Sequence, residues 1–179
     1  MTAIVHGSMQ LRTARLVLRP VEDADATATA PLVTPDVAAN LSTWPSPMSA
    51  EQVLRKVRKS REMMERREGV DLAILARDDS ALIGWIGLAK EAPGVARLGY
   101  WLCEQARGKG LMKEAAGSFV ARGTEFLDVE RVKALVLKDN ETSIAVLKAV
   151  GFQMTGEEEV FIETAGRSVS CFRFDWYDR

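Results

Sequence analysis

Residues 98–110 read Leu98-Gly99-Tyr100-Trp101-Leu102-Cys103-Glu104-Gln105-Ala106-Arg107-Gly108-Lys109-Gly110, an apolar run that breaks into a turn holding two glycines. Beyond it Leu111, Ala115, Phe119 and Phe126 recur near helical spacing, which predicts a helix from Gly108 to about Leu127. Strand, glycine-rich turn and helix in that order make an anion site. Gly108 and Gly110 let the backbone approach a ligand closely, and the free amides of a first helical turn, aided by the helix dipole, suit a pyrophosphate. Arg107 and Lys109 add positive charge. Two glycines before a helix also suit a plain tight turn, so the neighbouring sequence has to decide. A Walker loop is excluded because Gly108-Lys109 is followed by Gly110 and not by Ser or Thr. A dinucleotide fingerprint is excluded because Lys113 stands where it needs glycine. The pattern that remains is Gln/Arg-x-x-Gly-x-Gly/Ala, beginning at Gln105.

Upstream, short apolar runs from Val70 to Ala76, Leu82 to Leu88 and Val95 to Cys103 are broken by turn residues and predict strands, with Asp78-Asp79-Ser80 as a hairpin turn. Leu11 to Leu18 predicts a first strand that stops at Pro20, and Asp23-Ala24-Asp25 opens a weakly helical Ala/Thr-rich stretch toward Ala30. The two prolines of Thr43-Trp44-Pro45-Ser46-Pro47 forbid a helix and predict an ordered loop. Ser49-Ala50-Glu51-Gln52 supplies an N-cap for a charged helix running to Gly69, with Val53, Leu54, Val57 and Met64 on its apolar face. Downstream come a strand from Val132 to Leu137 and a helical stripe of Ile144, Leu147 and Val150 closed by Gly151. Two last strands lie near Phe152 to Ile162 and Arg167 to Trp176. The sequence thus predicts an α/β (α+β) fold without internal repeats.

The chain has 179 residues, 47% of them hydrophobic, enough for one buried core. We expect a tail over residues 1–10 and a single domain over 11–179. Twenty-four Lys and Arg face 25 Asp and Glu, a formal charge of −1, so no global electrostatic case exists for a nucleic-acid partner. No apolar run reaches the length of a membrane span and the start lacks the regions of a secretory signal, which makes the cytoplasm the expected compartment. Cys103 and Cys171 read as reduced core residues. His6 is the only histidine and falls in the tail, so neither a Ser/His/Asp triad nor a metal site is expected.

Over roughly Leu11 to Trp176 the sequence resembles the GNAT superfamily. Arg15-Leu16-Val17-Leu18-Arg19-Pro20 resembles the opening strand of its RimJ/RimL-type branch, whose best-known members acetylate N-terminal amines of ribosomal proteins. Gly99-Tyr100-Trp101-Leu102, the Gln105 to Gly110 loop, Glu114-Ala115, Asn140-x-x-Ser143 and Gly151-Phe152 follow at that branch's spacing. The resemblance implies a mixed, bent sheet of about seven strands with helices on both faces and a splayed central strand pair. It implies acetyl-CoA as co-substrate, with the main chain of Trp101, Leu102 and Cys103 on the pantetheine, the amides around Arg107, Gly108, Lys109 and Gly110 on the pyrophosphate, and Asn140 on the cofactor arm. No metal is implied. The acceptor would be an amine, either a peptide N-terminus or a small molecule, attacking the thioester directly; a non-catalytic acyl-CoA-binding module is the reading from another class. Dimers are common in the branch, so a homodimer is one assembly the resemblance allows.

Many members carry a tyrosine, the usual proton donor to the leaving thiolate, at the position held here by Leu147. Ser143 lies one turn earlier on the same helical face and is the candidate catalytic residue; its alternative reading is helix capping. Trp44 is the candidate substrate-binding residue, with anchoring of its loop as the alternative. Trp85 and Trp101 read as core or pocket lining. Glu104 reads as a solvated strand-end charge or a base. The run Glu157-Glu158-Glu159 with Glu163 reads as a solvated face or a lure for a cationic amine, and Lys138 as a surface lysine or a 3′-phosphate contact.

Overall fold

The computed structural model describes residues 9–162 and 166–178. His6 and Glu163 lie outside them. Among the described residues eight strands, β1 (Leu11–Arg12), β2 (Leu16–Pro20), β3 (Gly69–Ala76), β4 (Leu82–Ala92), β5 (Val95–Leu102), β6 (Arg131–Leu137), β7 (Gln153–Ile162) and β8 (Arg167–Tyr177), form one sheet in the order β1-β2-β3-β4-β5-β6-β8-β7. The helices are α1 (Asp25–Thr29), α2 (Pro35–Ala38), α3 (Ala50–Glu65), α4 (Leu111–Leu127) and α5 (Glu141–Ala149).

The expected count of about seven strands becomes eight because the opening strand is two. Thr13 N–H donates to Leu16 O at 3.0 Å, closing a turn that folds Leu11–Arg12 back onto Val17 and Leu18. Met9, within the expected tail, is buried in the core. Helix α4 starts at Leu111 and not at Gly108, because Gly108 and Gly110 both hold φ of +73°, in the left-handed region that no α-helix continues through. At α3 the expected cap closes fully: Ser49 Oγ accepts from Gln52 N–H at 3.2 Å and Gln52 Oε1 accepts from Ser49 N–H at 2.7 Å. Gly151, at φ +98°, ends α5, with its N–H donating to Lys148 O and that of Phe152 to Leu147 O.

Strand alternation sorts the core onto two faces. Leu16 and Leu18, Leu72 and Ile74, Ile86 and Leu88, and Ala96 and Leu98 join α4 and α5 residues such as Phe119 and Leu147 in one cluster. Ala73, Trp85 and Trp101 face the other way and pack with Val37, Val53 and Val57 from α2 and α3.

Every neighbouring pair in the sheet is antiparallel except β5 and β6. These two are parallel and pair only at Val95↔Arg131, Ala96↔Val132 and Arg97↔Lys133. Beyond those pairs β5 stays on β4 as far as Leu102↔Gly84, while β6 stays on β8 as far as Leu137↔Cys171. The sheet therefore opens into a gap between the C-terminal ends of two strands.

Candidate active site

The gap is bounded on one side by the part of β5 beyond Arg97, which β6 does not pair. Cys103 N–H donates to Ile83 O at 2.8 Å, and in an antiparallel ladder bonded and non-bonded pairs alternate. Leu102 and Tyr100, in the alternate pairs, thus turn their N–H and C=O groups toward the gap, whereas those of Trp101 and Cys103 turn toward β4. Of Trp101, Leu102 and Cys103, it is Leu102 that turns its main chain toward the gap, with Tyr100 beside it.

At the mouth of the gap a short 3-10 turn, Glu104–Ala106, leads into Arg107-Gly108-Lys109-Gly110, all four exposed. The N-cap of α4 is Gly110, which has no side chain to cap with, so the first amides of a 17-residue helix keep their donors. A Cβ on Gly108 would meet nothing within 4 Å, and on Gly110 only the Arg15 guanidinium at 3.7 Å. The two glycines are therefore required by φ and not by crowding. Arg107 folds back, its Nε donating to Leu102 O at 3.2 Å.

The loop is held from behind. Arg15 Nη1 donates to Lys109 O at 2.8 Å, and Arg15 Nε reaches Glu114 Oε2 on the first turn of α4 at 2.7 Å. Glu114 Oε1 also accepts from the Thr13 hydroxyl at 2.6 Å and from Arg15 N–H at 2.8 Å. Burial pushes the Glu114 carboxyl up, but these bonds and the Arg15 charge together outweigh it and leave the group below its ordinary value.

Asn140 and Ser143 stand on the opposite lip. Asn140 is the N-cap of α5, and its Oδ1 accepts from Ser143 N–H at 3.1 Å, which leaves the amide NH2 as a donor. Capping is thus done by Asn140, while the Ser143 hydroxyl lies 2.7 Å from Tyr100 Oη. Leu147, one turn on, is buried in the core cluster. Tyr100 is the residue that reading the sequence missed: it was legible only as part of a strand, because its partner lies 43 positions away on another element. Burial pushes the Tyr100 phenol up to about 12, against the lowering effect of its bond to Ser143.

Trp44 packs edge-on against Trp85 and Trp101, with ring centroids 5.0 and 5.3 Å apart, and Lys56 Nζ sits 4.7 Å over its ring. It anchors its loop into the second core cluster. Glu104 accepts a hydrogen bond from the hydroxyl of Thr34, the N-cap of α2. The acidic run is partly neutralised, Glu157 by Lys138 and Glu158 by Lys133, so Lys138 turns toward β7. Cys103 and Cys171 are buried free thiols. Among the described residues no group of three or more His, Cys, Asp or Glu is placed to hold a metal ion, and no helix is long and apolar enough to cross a membrane.

The candidate site is thus a splayed parallel strand pair with a glycine-led helix N-terminus at its mouth and an asparagine-capped helix on its far lip. Residues 15–153 match the family described as Acetyltransferase (GNAT) domain, and the chain belongs to that family. It is 30% identical over 148 residues to the uncharacterized N-acetyltransferase YoaA of Bacillus subtilis (strain 168), covering 82% of this chain and 84% of that protein. To the ribosomal-protein-serine acetyltransferase of Escherichia coli (strain K12) it is 26% identical over 133 residues, or 72% and 74% of the two chains. The solved structure of RimL, a ribosomal L7/L12 α-N-protein acetyltransferase in complex with coenzyme A, matches with a TM-score of 0.81 at 20% identity, covering 92% of this chain and 95% of that one. The protein is a GNAT N-acetyltransferase, and acetyl-CoA is its co-substrate.

Proposed function

We propose that the protein acetylates an α-amine at the N-terminus of a protein or peptide. The observation that carries the site assignment is the coincidence of the β5/β6 gap with the glycine-led start of α4 and with Asn140 and Ser143 across from it. The similarity to a ribosomal-protein-serine acetyltransferase favours a protein N-terminus over a small amine.

In this reading the amides around Arg107, Gly108, Lys109 and Gly110 hold the pyrophosphate, the gap-facing main chain of Leu102 lies along the pantetheine beside Trp101 and Cys103, and the Asn140 NH2 group donates to the cofactor arm. Ser143 donates a hydrogen bond to sulfur as the carbon–sulfur bond breaks, stabilising the charge that develops there. No enzyme-bound acyl group is needed, and Cys103 and Cys171 are both buried free thiols. Trp44 sets the shape of the acceptor side by holding the loop near Pro45 and Pro47 against the Trp85–Trp101 face.

The test is thiol release from acetyl-CoA with a panel of peptides of differing N-terminal residue, lysine side-chain amines in N-blocked peptides, and small amines. Turnover confined to free peptide N-termini is the expected result. Faster turnover with small amines would assign the acceptor to that class, and no turnover with any amine, beside intact CoA binding, would make the protein an acyl-CoA-binding module.

A further inference from the structure

The hydroxyl pair across the gap has a direction that the chemistry of its two partners decides. Tyr100 lies on β5 past the last β5–β6 pair, and Ser143 lies on the helix that follows β6, so their bond joins the two arms of the opened sheet. Tyr100 Oη is 2.7 Å from Ser143 Oγ and 3.3 Å from Ser143 O, which makes the hydroxyl its principal partner. A phenol is the stronger acid of the two and an aliphatic hydroxyl the better acceptor, so the phenolic proton goes to Oγ. A serine near a helix start otherwise tends to turn its proton back onto main-chain carbonyls of the preceding turn.

We infer that Tyr100 is a positioning residue for acetyl transfer: by donating to Ser143 Oγ it orients that hydroxyl and leaves the serine's own proton for the leaving sulfur. The inference rests on Ser143 acting as proposed above. Tyr100 keeps its proton throughout. The bond from the amine nitrogen to the carbonyl carbon forms, the carbon–sulfur bond breaks with its electron pair going to sulfur, and the amine proton passes to water. Burial supports the role, because a phenol pushed up to about 12 is still protonated at about pH 8, where an α-amine becomes neutral.

The experiment compares Tyr100→Phe, Ser143→Ala and the double variant, each with turnover at saturating acetyl-CoA, CoA affinity by calorimetry, and melting temperature. Tyr100→Phe should lower turnover about tenfold, the scale of one lost hydrogen bond in a transition state, with CoA affinity unchanged. The double variant should be no slower than Ser143→Ala, because the phenol acts only through the serine. Fluorotyrosine at position 100 keeps shape and hydroxyl while strengthening the donor, and should match or exceed wild-type turnover. Wild-type turnover in Tyr100→Phe would overturn the inference, as would losses that multiply in the double variant or a fluorotyrosine enzyme slowed like the phenylalanine one. If Ser143→Ala alone keeps full turnover, the reading of Ser143 fails. A Tyr100→Phe loss that persists in that background then shows a phenol acting by itself.

Discussion

At Gly110 a single backbone angle should set affinity for CoA. Nothing but one guanidinium lies near the Cβ that a larger residue would add, so the demand is conformational: an L-residue at φ +73° costs about 1–2 kcal/mol, more when β-branched and less for asparagine. If the chain relaxes to negative φ, the amides leading into α4 turn away from the anion they are proposed to hold. Gly110→Asn should therefore keep CoA affinity within about threefold, whereas Gly110→Val should lose it by more than about tenfold while still folding, a difference of over ~1 kcal/mol that calorimetry reads directly. Equal affinities in the two variants would place the pyrophosphate elsewhere. Ser143 carries the complementary lesson. Its position in the chain suited capping as well as catalysis; in the fold the cap oxygen belongs to Asn140 and the serine hydroxyl faces a phenol.

Among the elements, α4 depends for its placement on a strand that precedes it by some hundred residues. Thr13 and Arg15, in the turn between β1 and β2, bring three hydrogen bonds to Glu114, and Arg15 goes on to the Lys109 carbonyl, so turn, helix and loop are tied together. Glu114→Gln keeps the size of the side chain but removes its charge. It should weaken CoA binding about tenfold, the effect of one charge-assisted hydrogen bond that no longer fixes the loop. Because the folded-state value of Glu114 is lowered, its contribution to stability is complete above its unfolded value and is lost as pH falls through the folded one. The difference in denaturant midpoint between wild type and Glu114→Gln should accordingly be full at neutral pH and shrink below about pH 4. A midpoint difference that does not change with pH would deny the ion pair its role. This latch was not legible in the sequence, although both of its ends were. Arg15 and Glu114 each belong to a recognisable motif, but periodicity reports which face a residue lies on and not which distant residue it meets. Helices α3 and α5 were legible because their caps and apolar stripes are local, as Ser49 with Gln52 and Gly151 show. The division of the first strand was not, because only pairing between strands reveals that Leu11 and Arg12 fold back.

At the scale of the whole molecule the sheet is two half-sheets, β1 to β5 and β6 with β8 and β7, that share three residue pairs at one end of their border. Past that border they are bridged by α4 and α5, through their shared core cluster, and by the hydrogen bond between the Tyr100 and Ser143 hydroxyls. A ligand lying in the gap adds contacts to both halves at once and binds only the folded chain. Its effect on stability follows from mass action: at a concentration about a hundred times its dissociation constant, CoA should add about 2.7 kcal/mol, or roughly 5–11 °C in melting temperature for a domain of this size. The gain should be cooperative, a single transition moving upward, because the same ligand holds both halves. Protection from hydrogen exchange should fall on the gap-facing amides of Tyr100 and Leu102 more than on the Cys103 amide, which β4 already holds. In Gly110→Val the melting temperature should not respond to CoA at concentrations that saturate the wild type. A shift of wild-type size in that variant, or protection confined to one half-sheet, would mean that CoA binds outside the gap.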